Sequence, residues 1–124
     1  MTRIVRPADQ PRHASTRDTR DRRDLITPET LGVTTLKADI ITYHPGDTAA
    51  RHYHEDADHF FFVLSGSGTL HAGDLVHEVG DGDVIHVPAG EVHHFRNTTE
   101  RDFSFFEMWV PSPTKTVWID QDDI

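Results

Sequence analysis

The sequence contains no cysteine. This absence excludes disulfide bonds, thiolate ligands to a metal ion and cysteine nucleophiles. Any metal ion that the chain binds must therefore be held by histidine or carboxylate side chains. Histidine is abundant, with ten residues in a chain of 124.

Positive charge is scarce. Lysine occurs only at Lys37 and Lys115, and 21 acidic residues against 12 basic ones give a net charge of -9. A protein that binds nucleic acid needs a concentrated basic surface, and none is evident outside the N-terminal arm. The composition therefore predicts that neither nucleic acid nor an anionic membrane is a partner.

Long apolar runs are also missing. The longest, such as residues 60–64, fall far short of the ~20 residues that a membrane span requires. The N-terminus lacks the apolar core of a signal peptide. We therefore expect a cytoplasmic protein with no membrane partner.

The length of 124 residues fits one domain. Residues 1–24 are polar and carry a run of alternating charges, which predicts an arm that is either solvated and disordered or packed across a partner subunit. Residues 25–124 hold the apolar segments and are expected to form the folded domain.

Turn signals recur regularly from residue 25 onward, as in Pro45-Gly46-Asp47 and Pro88-Ala89-Gly90. Short segments rich in β-branched and aromatic residues separate them, which predicts an all-β sandwich or barrel. The expected strands cover residues 35–43, 49–54, 59–65, 68–72, 75–79, 84–87, 93–97 and 103–110. Helix is limited to a turn near residues 28–31.

The positions of four histidines indicate a metal site. Residues two apart in a strand share a face, so His52 and His54 project together, and His59 projects from the next strand. His93 opens a strand directly after the turn at residues 88–90, which can bring it alongside the first pair. Four imidazoles suit a transition metal such as Zn, Fe, Mn, Ni or Cu better than Ca or Mg.

Two motifs resemble those of the cupin superfamily. The first, G-x5-H-x-H-x4-E-x6-G, is matched in spacing by Gly46, His52, His54, His59 and Gly66, with histidine in place of the usual glutamate. The second, G-x5-P-x-G-x2-H-x3-N, is matched by Gly82, Pro88, Gly90, His93 and Asn97. The resemblance implies a double-stranded β-helix, or jelly roll, with one divalent metal ion inside the barrel held by His52, His54, His59 and His93.

His59 departs from the usual motif. Four neutral imidazoles would leave the ion its full charge, so that it attracts anionic oxygen donors more strongly. Asp58 is an alternative ligand, although strand alternation places it on the opposite face from His59. A metal-free barrel with hydrogen-bonded core histidines is the competing interpretation of the whole set.

Phe61 and Val63 share the face of His59, and Phe95 shares that of His93, so these three residues are expected to line an apolar pocket. Glu107 lies on a last strand whose two faces are both largely apolar. If Glu107 points inward, burial would raise its pKa and make it the candidate general base. A solvated Glu107 on the surface is the alternative.

Three functions fit these residues. The first, and the one that the sequence favours, is a dioxygenase, with Fe or Mn holding a small oxygenated substrate next to dioxygen. The second is a non-redox isomerase, cyclase or lyase that uses the metal as a Lewis acid. The third is a non-catalytic binding barrel. A homodimer is expected, because a lone small barrel leaves strand edges exposed.

Overall fold

The computed structural model describes residues 1–15, 18, 20–113 and 116–119. Over these ranges the chain forms a 3₁₀ turn, one short α-helix and eleven strands, whose bounds follow. They are Pro7–Asp9 (3₁₀), β1 His13–Ala14, β2 Asp21–Ile26, α1 Pro28–Leu31, β3 Lys37–Tyr43, β4 His52–His54, β5 Asp58–Ser65, β6 Ser67–Ala72, β7 Leu75–Gly80, β8 Val84–Val87, β9 His93–Arg96, β10 Phe103–Val110 and β11 Thr116–Trp118. Within the described ranges, no helix has the length and apolar character needed to cross a membrane.

The strands form two antiparallel sheets, which confirms the predicted all-β jelly roll. The first sheet has the order β1-β2-β3-β10-β5-β8 and the second the order β11-β4-β9-β6-β7. The eight predicted strands are all present, with ends shifted by up to three residues. Strands β1, β2 and β11 are additional to the prediction.

The core lies between the two sheets. Alternate residues of β3, β5 and β10 point inward, and the buried cluster is dominated by aromatic side chains. Its members are Ile41, Tyr43, Ala49, Phe61, Val63, Leu70, Val79, Val87, Phe95, Phe103 and Phe105. Gly66 has a φ of 85°, and a Cβ there would collide with the backbone oxygen of Asp102. The motif glycine is therefore needed for this turn.

Strand β2 runs across the boundary expected between residues 24 and 25. It pairs with β3, and β1 pairs with β2, so this part of the arm extends the first sheet. Leu25 is the one residue of β2 that is buried. Because β2 is held mainly by backbone hydrogen bonds to its neighbouring strands, it needs no apolar alternation, and its polar sequence gave no strand signal. His44 also contacts the arm, since its Nε2 lies 2.7 Å from a carboxylate oxygen of Asp21.

The outer face of the first sheet is unusually apolar. Phe62, Leu64 and Val84 are each at least 45% exposed on neighbouring strands. The homodimer stays a prediction, and this face and the strand edges are the surfaces that it would cover.

Candidate metal centre

Three histidines meet inside the barrel on the second sheet. His52 and His54 lie on β4, and His93 lies on β9, where it is the direct partner of His52 in the antiparallel register. Their ligand nitrogens lie within 4.8 Å of one another, and all three residues are buried. We call these residues the three-histidine cluster; it can bind a metal ion.

His52 and His93 have fixed ring orientations. The Nδ1–H of His52 donates to the carbonyl oxygen of Ala50 at 2.9 Å, and that of His93 donates to Glu91 at the same distance. Because a carbonyl only accepts, Nε2 of each ring keeps its lone pair. Nε2 of His93 is buried without a hydrogen-bond partner in the described part of the chain. Such backbone bonds are typical of metal-binding histidines, so both rings fit a metal ion.

Burial keeps the cluster neutral. It lowers the pKa of His52 to about 2, that of His93 to about 3 and that of His54 to about 4, and neighbouring histidines lower each value further. A neutral imidazole is the form that binds metal. The cluster therefore has the protonation state that metal binding requires at neutral pH.

Both ring nitrogens of His54 are engaged. The indole N–H of Trp109 donates to Nε2 at 2.9 Å, so Nδ1 carries the ring proton and donates to the Thr116 hydroxyl at 3.1 Å. A metal ion at the three-histidine cluster would use the same Nε2 lone pair. Metal binding through this nitrogen therefore requires Trp109 to release it.

Replacement of Trp109 by phenylalanine is expected to raise the Zn²⁺ affinity of the metal-free protein by up to about tenfold. The competing hydrogen bond is worth roughly 0.5–1.5 kcal/mol, and phenylalanine keeps an aromatic ring against His59. Competition with a chromophoric chelator measures the affinity. Trp118→Phe, which leaves the bond to His54 in place, is the matched control. A lower affinity in Trp109→Phe would contradict competition at His54.

His59, the expected fourth ligand, lies beside the cluster but outside the 4.8 Å group. Its ring centroid is 5.2 Å from that of His54 and 5.3 Å from that of His93. Its Nε2 lies 3.2 Å from Oε2 of Glu107, while its Nδ1 is buried without a partner among the described residues. Burial lowers the pKa of His59 well below its usual value, and the charge of Arg20 adds to this. With Nε2–H donating to Glu107, the Nδ1 lone pair is the one that a metal could use.

Asp58, the alternative ligand, faces away from the cluster. Its side chain is about half exposed and accepts hydrogen bonds from His86 and from the backbone N–H of Ala89. Strand alternation on β5 thus separates Asp58 from His59, as the sequence indicated.

Glu107 points inward and is 3% exposed. It lies directly opposite Asp39 in the register of β10 and β3, and Asp39 is fully buried. Burial raises the pKa of both groups, and the neighbouring Glu107 raises that of Asp39 further. Two carboxylates in contact in a buried place do not both ionise. We therefore treat them as a carboxyl pair that holds one proton.

Asp39 is a candidate functional residue that the sequence analysis missed. Apart from the contact with Glu107, neither of its carboxyl oxygens has a hydrogen-bond partner within the described ranges. The available signal was its position two residues before Ile41 and four before Tyr43, which places it on the same face of the strand as these two core residues.

A cavity of about 410 Å³ connects these groups. The three-histidine cluster, His59 and the carboxyl pair line it, and so do Phe61 and Phe95. Val63 was also expected to line the pocket, but it does not line the cavity. It is fully buried in the core, one inward position further along β5 than Phe61. The aromatic wall also includes Phe105, Trp109 and Trp118.

The fold and the inward-facing histidines define a small metal-binding β-barrel of the double-stranded β-helix type. The family model described as "Cupin domain" matches residues 39–111, and the chain belongs to this family. Protein SchB of Streptomyces halstedii is 32% identical over 78 residues, which are 63% of this chain and 56% of SchB. An uncharacterized protein of Aquifex aeolicus is 41% identical over 49 residues, 40% of each chain. The matches thus span about half the length of these relatives or less.

Solved structures share the fold at low sequence identity. The polyketide cyclase RemF from Streptomyces resistomycificus has a TM-score of 0.86 at 23% identity, covering 98% of this chain and 89% of RemF. A sugar phosphate isomerase from Silicibacter pomeroyi has a TM-score of 0.79 at 22% identity, covering 97% and 83%. A predicted oxalate decarboxylase from Thermotoga maritima has a TM-score of 0.77 at 22% identity, covering 88% and 99%.

Proposed function

We propose that the protein is a metal-dependent enzyme that transfers a proton on a small oxygenated substrate, as a non-redox isomerase, cyclase or lyase. The observation that carries the proposal is the pair formed by Asp39 and Glu107 on the wall of the same cavity as the three-histidine cluster. Directly opposed carboxyl groups destabilise a barrel interior. Ionisable groups with perturbed pKa values in a cavity are typical of a catalytic site.

His52, His54 and His93 would hold one divalent transition metal ion, with His59 as the fourth ligand through Nδ1. Fe, Mn, Zn, Ni and Cu all suit imidazole ligands, and Zn or Ni suffices for a reaction without electron transfer. The bound ion would supply Lewis-acid chemistry, polarising a substrate oxygen and making a neighbouring C–H bond more acidic.

The carboxyl pair would accept and return the proton. Oε2 of Glu107 accepts the Nε2–H of His59 at 3.2 Å, which fixes that carboxyl group. Apart from its contact with Glu107, Asp39 has no hydrogen-bond partner in the described chain, and it lines the cavity, so we infer that it is the member of the pair that can reach a substrate. A raised pKa keeps a carboxyl group near the protonation balance that general acid–base catalysis needs.

The names of similar structures agree with this chemistry. One is called a polyketide cyclase and another a sugar phosphate isomerase. Their likeness to this chain is a likeness of fold, so these names support the reaction type without identifying the substrate.

A dioxygenase is the second candidate. The observation that favours it is a site with neutral histidine ligands beside a largely aromatic wall, which suits an anionic chelating substrate and dioxygen. A purely binding barrel is the third candidate, and it offers no reason for two buried carboxyl groups to face each other.

The test is turnover of β-diketones, catechols, flavonols and 2-keto sugars by the metal-loaded protein, in air and under argon. We expect equal product in both atmospheres. Asp39→Asn and Glu107→Gln should each lower kcat by about 100-fold or more while metal content is kept, and the exposed Glu100→Gln should not. Product formed only in air would favour the dioxygenase. Full activity of both variants would overturn the role of the carboxyl pair.

A further inference from the structure

The C-terminal strand β11 lies directly against the candidate metal centre. It is the edge strand of the second sheet and pairs with β4, the strand that carries His52 and His54. In this antiparallel register Thr116 lies opposite His54. Side chains that are directly opposite each other lie on the same face of a sheet. Thr116 therefore points to the inner side of the barrel, where it lines the cavity.

The hydroxyl group of Thr116 accepts the ring proton of His54. Its Oγ1 lies 3.1 Å from Nδ1 of His54. Because Nε2 of the same ring accepts the indole N–H of Trp109, the proton is on Nδ1. His54 is 4% exposed, so this N–H lies away from bulk solvent. A buried N–H without an acceptor costs free energy, and the Thr116 oxygen removes that cost.

The support of His54 differs from that of the other two histidines of the cluster. His52 and His93 each donate Nδ1–H to the backbone carbonyl oxygen of the residue two positions earlier. The partner of His54 is a side chain 62 residues further along the chain, outside residues 39–111 that match the family model. A backbone carbonyl is present whatever the residue is, whereas a hydroxyl group is lost by one substitution. The orientation of His54 therefore depends on the identity of Thr116.

The bond between His54 and Thr116 matters most when a metal ion is bound. The ligand atom of His54 at the three-histidine cluster is Nε2, so the neutral ring must then keep its proton on Nδ1. An acceptor at Nδ1 fixes this tautomer and the ring orientation, and it makes Nε2 more basic. Without a metal ion, the ring can relieve a missing acceptor by turning or by moving its proton. Loss of the acceptor therefore penalises the metal-bound form more than the free form.

We propose that Thr116 is a positioning residue of the metal centre, whose hydroxyl group holds the Nδ1–H of His54 and so presents Nε2 to the metal ion. This inference rests on the metal site of the proposed function and is independent of the type of reaction. The competing role of Thr116 is structural, to hold β11 against β4. A purely structural role would change the stability of the fold without changing the environment of the His54 ring proton.

The test replaces Thr116 by valine, which keeps a β-branched side chain and lacks the hydroxyl group. We expect Thr116→Val to lower the Zn²⁺ affinity of the full-length protein by about tenfold or more, measured by competition with a chromophoric chelator. Thr116→Ser restores the hydroxyl group and should recover most of this loss. Thr69→Val is the matched control, because Thr69 lies on β6 of the same sheet and its hydroxyl group donates to the backbone oxygen of Arg96. It should leave the affinity unchanged.

The second measurement is the ¹H–¹⁵N spectrum of the histidine rings in the metal-free protein at neutral pH. We expect the Nδ1–H proton of His54 to shift upfield in Thr116→Val, because it loses its hydrogen bond, and to stay in place in Thr116→Ser and Thr69→Val. If urea unfolding shows that Thr116→Val is not folded, Thr116→Ser and Thr116→Ala are compared instead, since these two variants differ by the hydroxyl group alone.

Equal Zn²⁺ affinities of the natural protein and Thr116→Val would overturn the proposal while leaving the metal site in place. A loss of affinity that Thr116→Ser does not recover, or an unmoved Nδ1–H signal in Thr116→Val, would also overturn it. Absence of Zn²⁺ binding by the natural protein would instead overturn the metal site of the proposed function, and this inference with it. The two failures are therefore distinguishable.

Discussion

Replacement of His93 by alanine is expected to lower the affinity for Zn²⁺ by at least about 100-fold, because loss of a ligand costs more than loss of its supporting hydrogen bond. His93 supplies one of the three clustered nitrogens, and its Nε2 is oriented by the bond from Nδ1–H to Glu91. Calorimetric titration of the metal-free protein, together with elemental analysis after dialysis, measures the loss.

His94→Ala is the matched control for this experiment. His94 is the next residue on β9, and its ring stacks on His71 with centroids 4.4 Å apart. Metal loss in His94→Ala together with full retention in His93→Ala would show that the faces of β9 are reversed. The same titration on His59→Ala tests the fourth ligand, since an unchanged affinity would remove His59 from the set.

The metal-free protein is expected to lose stability steeply as the pH falls below about 6.5. The folded state holds His52, His54 and His93 neutral, with pKa values of about 2, 4 and 3, whereas the unfolded chain protonates them near 6.5. Unfolding therefore takes up protons between pH 6.5 and about 4, so acid favours it. Each histidine contributes about 1.4 kcal/mol per pH unit in this range.

The carboxyl pair acts in the opposite direction. Its raised pKa values mean that the folded state binds a proton more tightly than the unfolded chain, so lowering the pH toward 4 adds stability. The pair holds one proton in the folded state, whereas three histidines take up protons on unfolding. The effect of the histidines is therefore the larger of the two. Urea unfolding at pH 7.5, 6.0 and 5.0 measures the net effect, and an unchanged free energy of unfolding would contradict it. Saturating Zn²⁺ should move the loss to lower pH, because metal competes with protons for the same nitrogens.

The sequence was sufficient for the cluster because strand alternation is a local rule. His52 and His54 are two residues apart and therefore share a face of one strand, while the resemblance to the second cupin motif placed His93 beside them. The orientation of Glu107 could not be obtained in this way. Both faces of β10 are apolar, and only its pairing with Asp39 on one side and Phe61 on the other shows which face is inside.

The hydrogen bonds of the site could not be predicted from the sequence, for a related reason. The contact of Trp109 with His54 joins residues 55 positions apart, and that of His59 with Glu107 joins residues 48 apart. Neither has a fixed spacing in any motif. Each depends on the register of long-range strand pairs, which periodicity within one strand does not encode.

Strand β2 contributes to the wall of the cavity but little to the core. It forms part of the cavity wall through Arg22, with Arg20 directly before it, yet Leu25 is the only residue of β2 that is buried. The histidines and the carboxyl pair lie on other strands, within the stretch that matches the family model. A change at position 22 therefore alters the cavity wall without replacing a metal ligand or a core residue, whereas Arg20 also acts on His59 and on Tyr43 of the core. The cavity lining can thus vary in this short segment while the residues of the candidate metal centre stay the same.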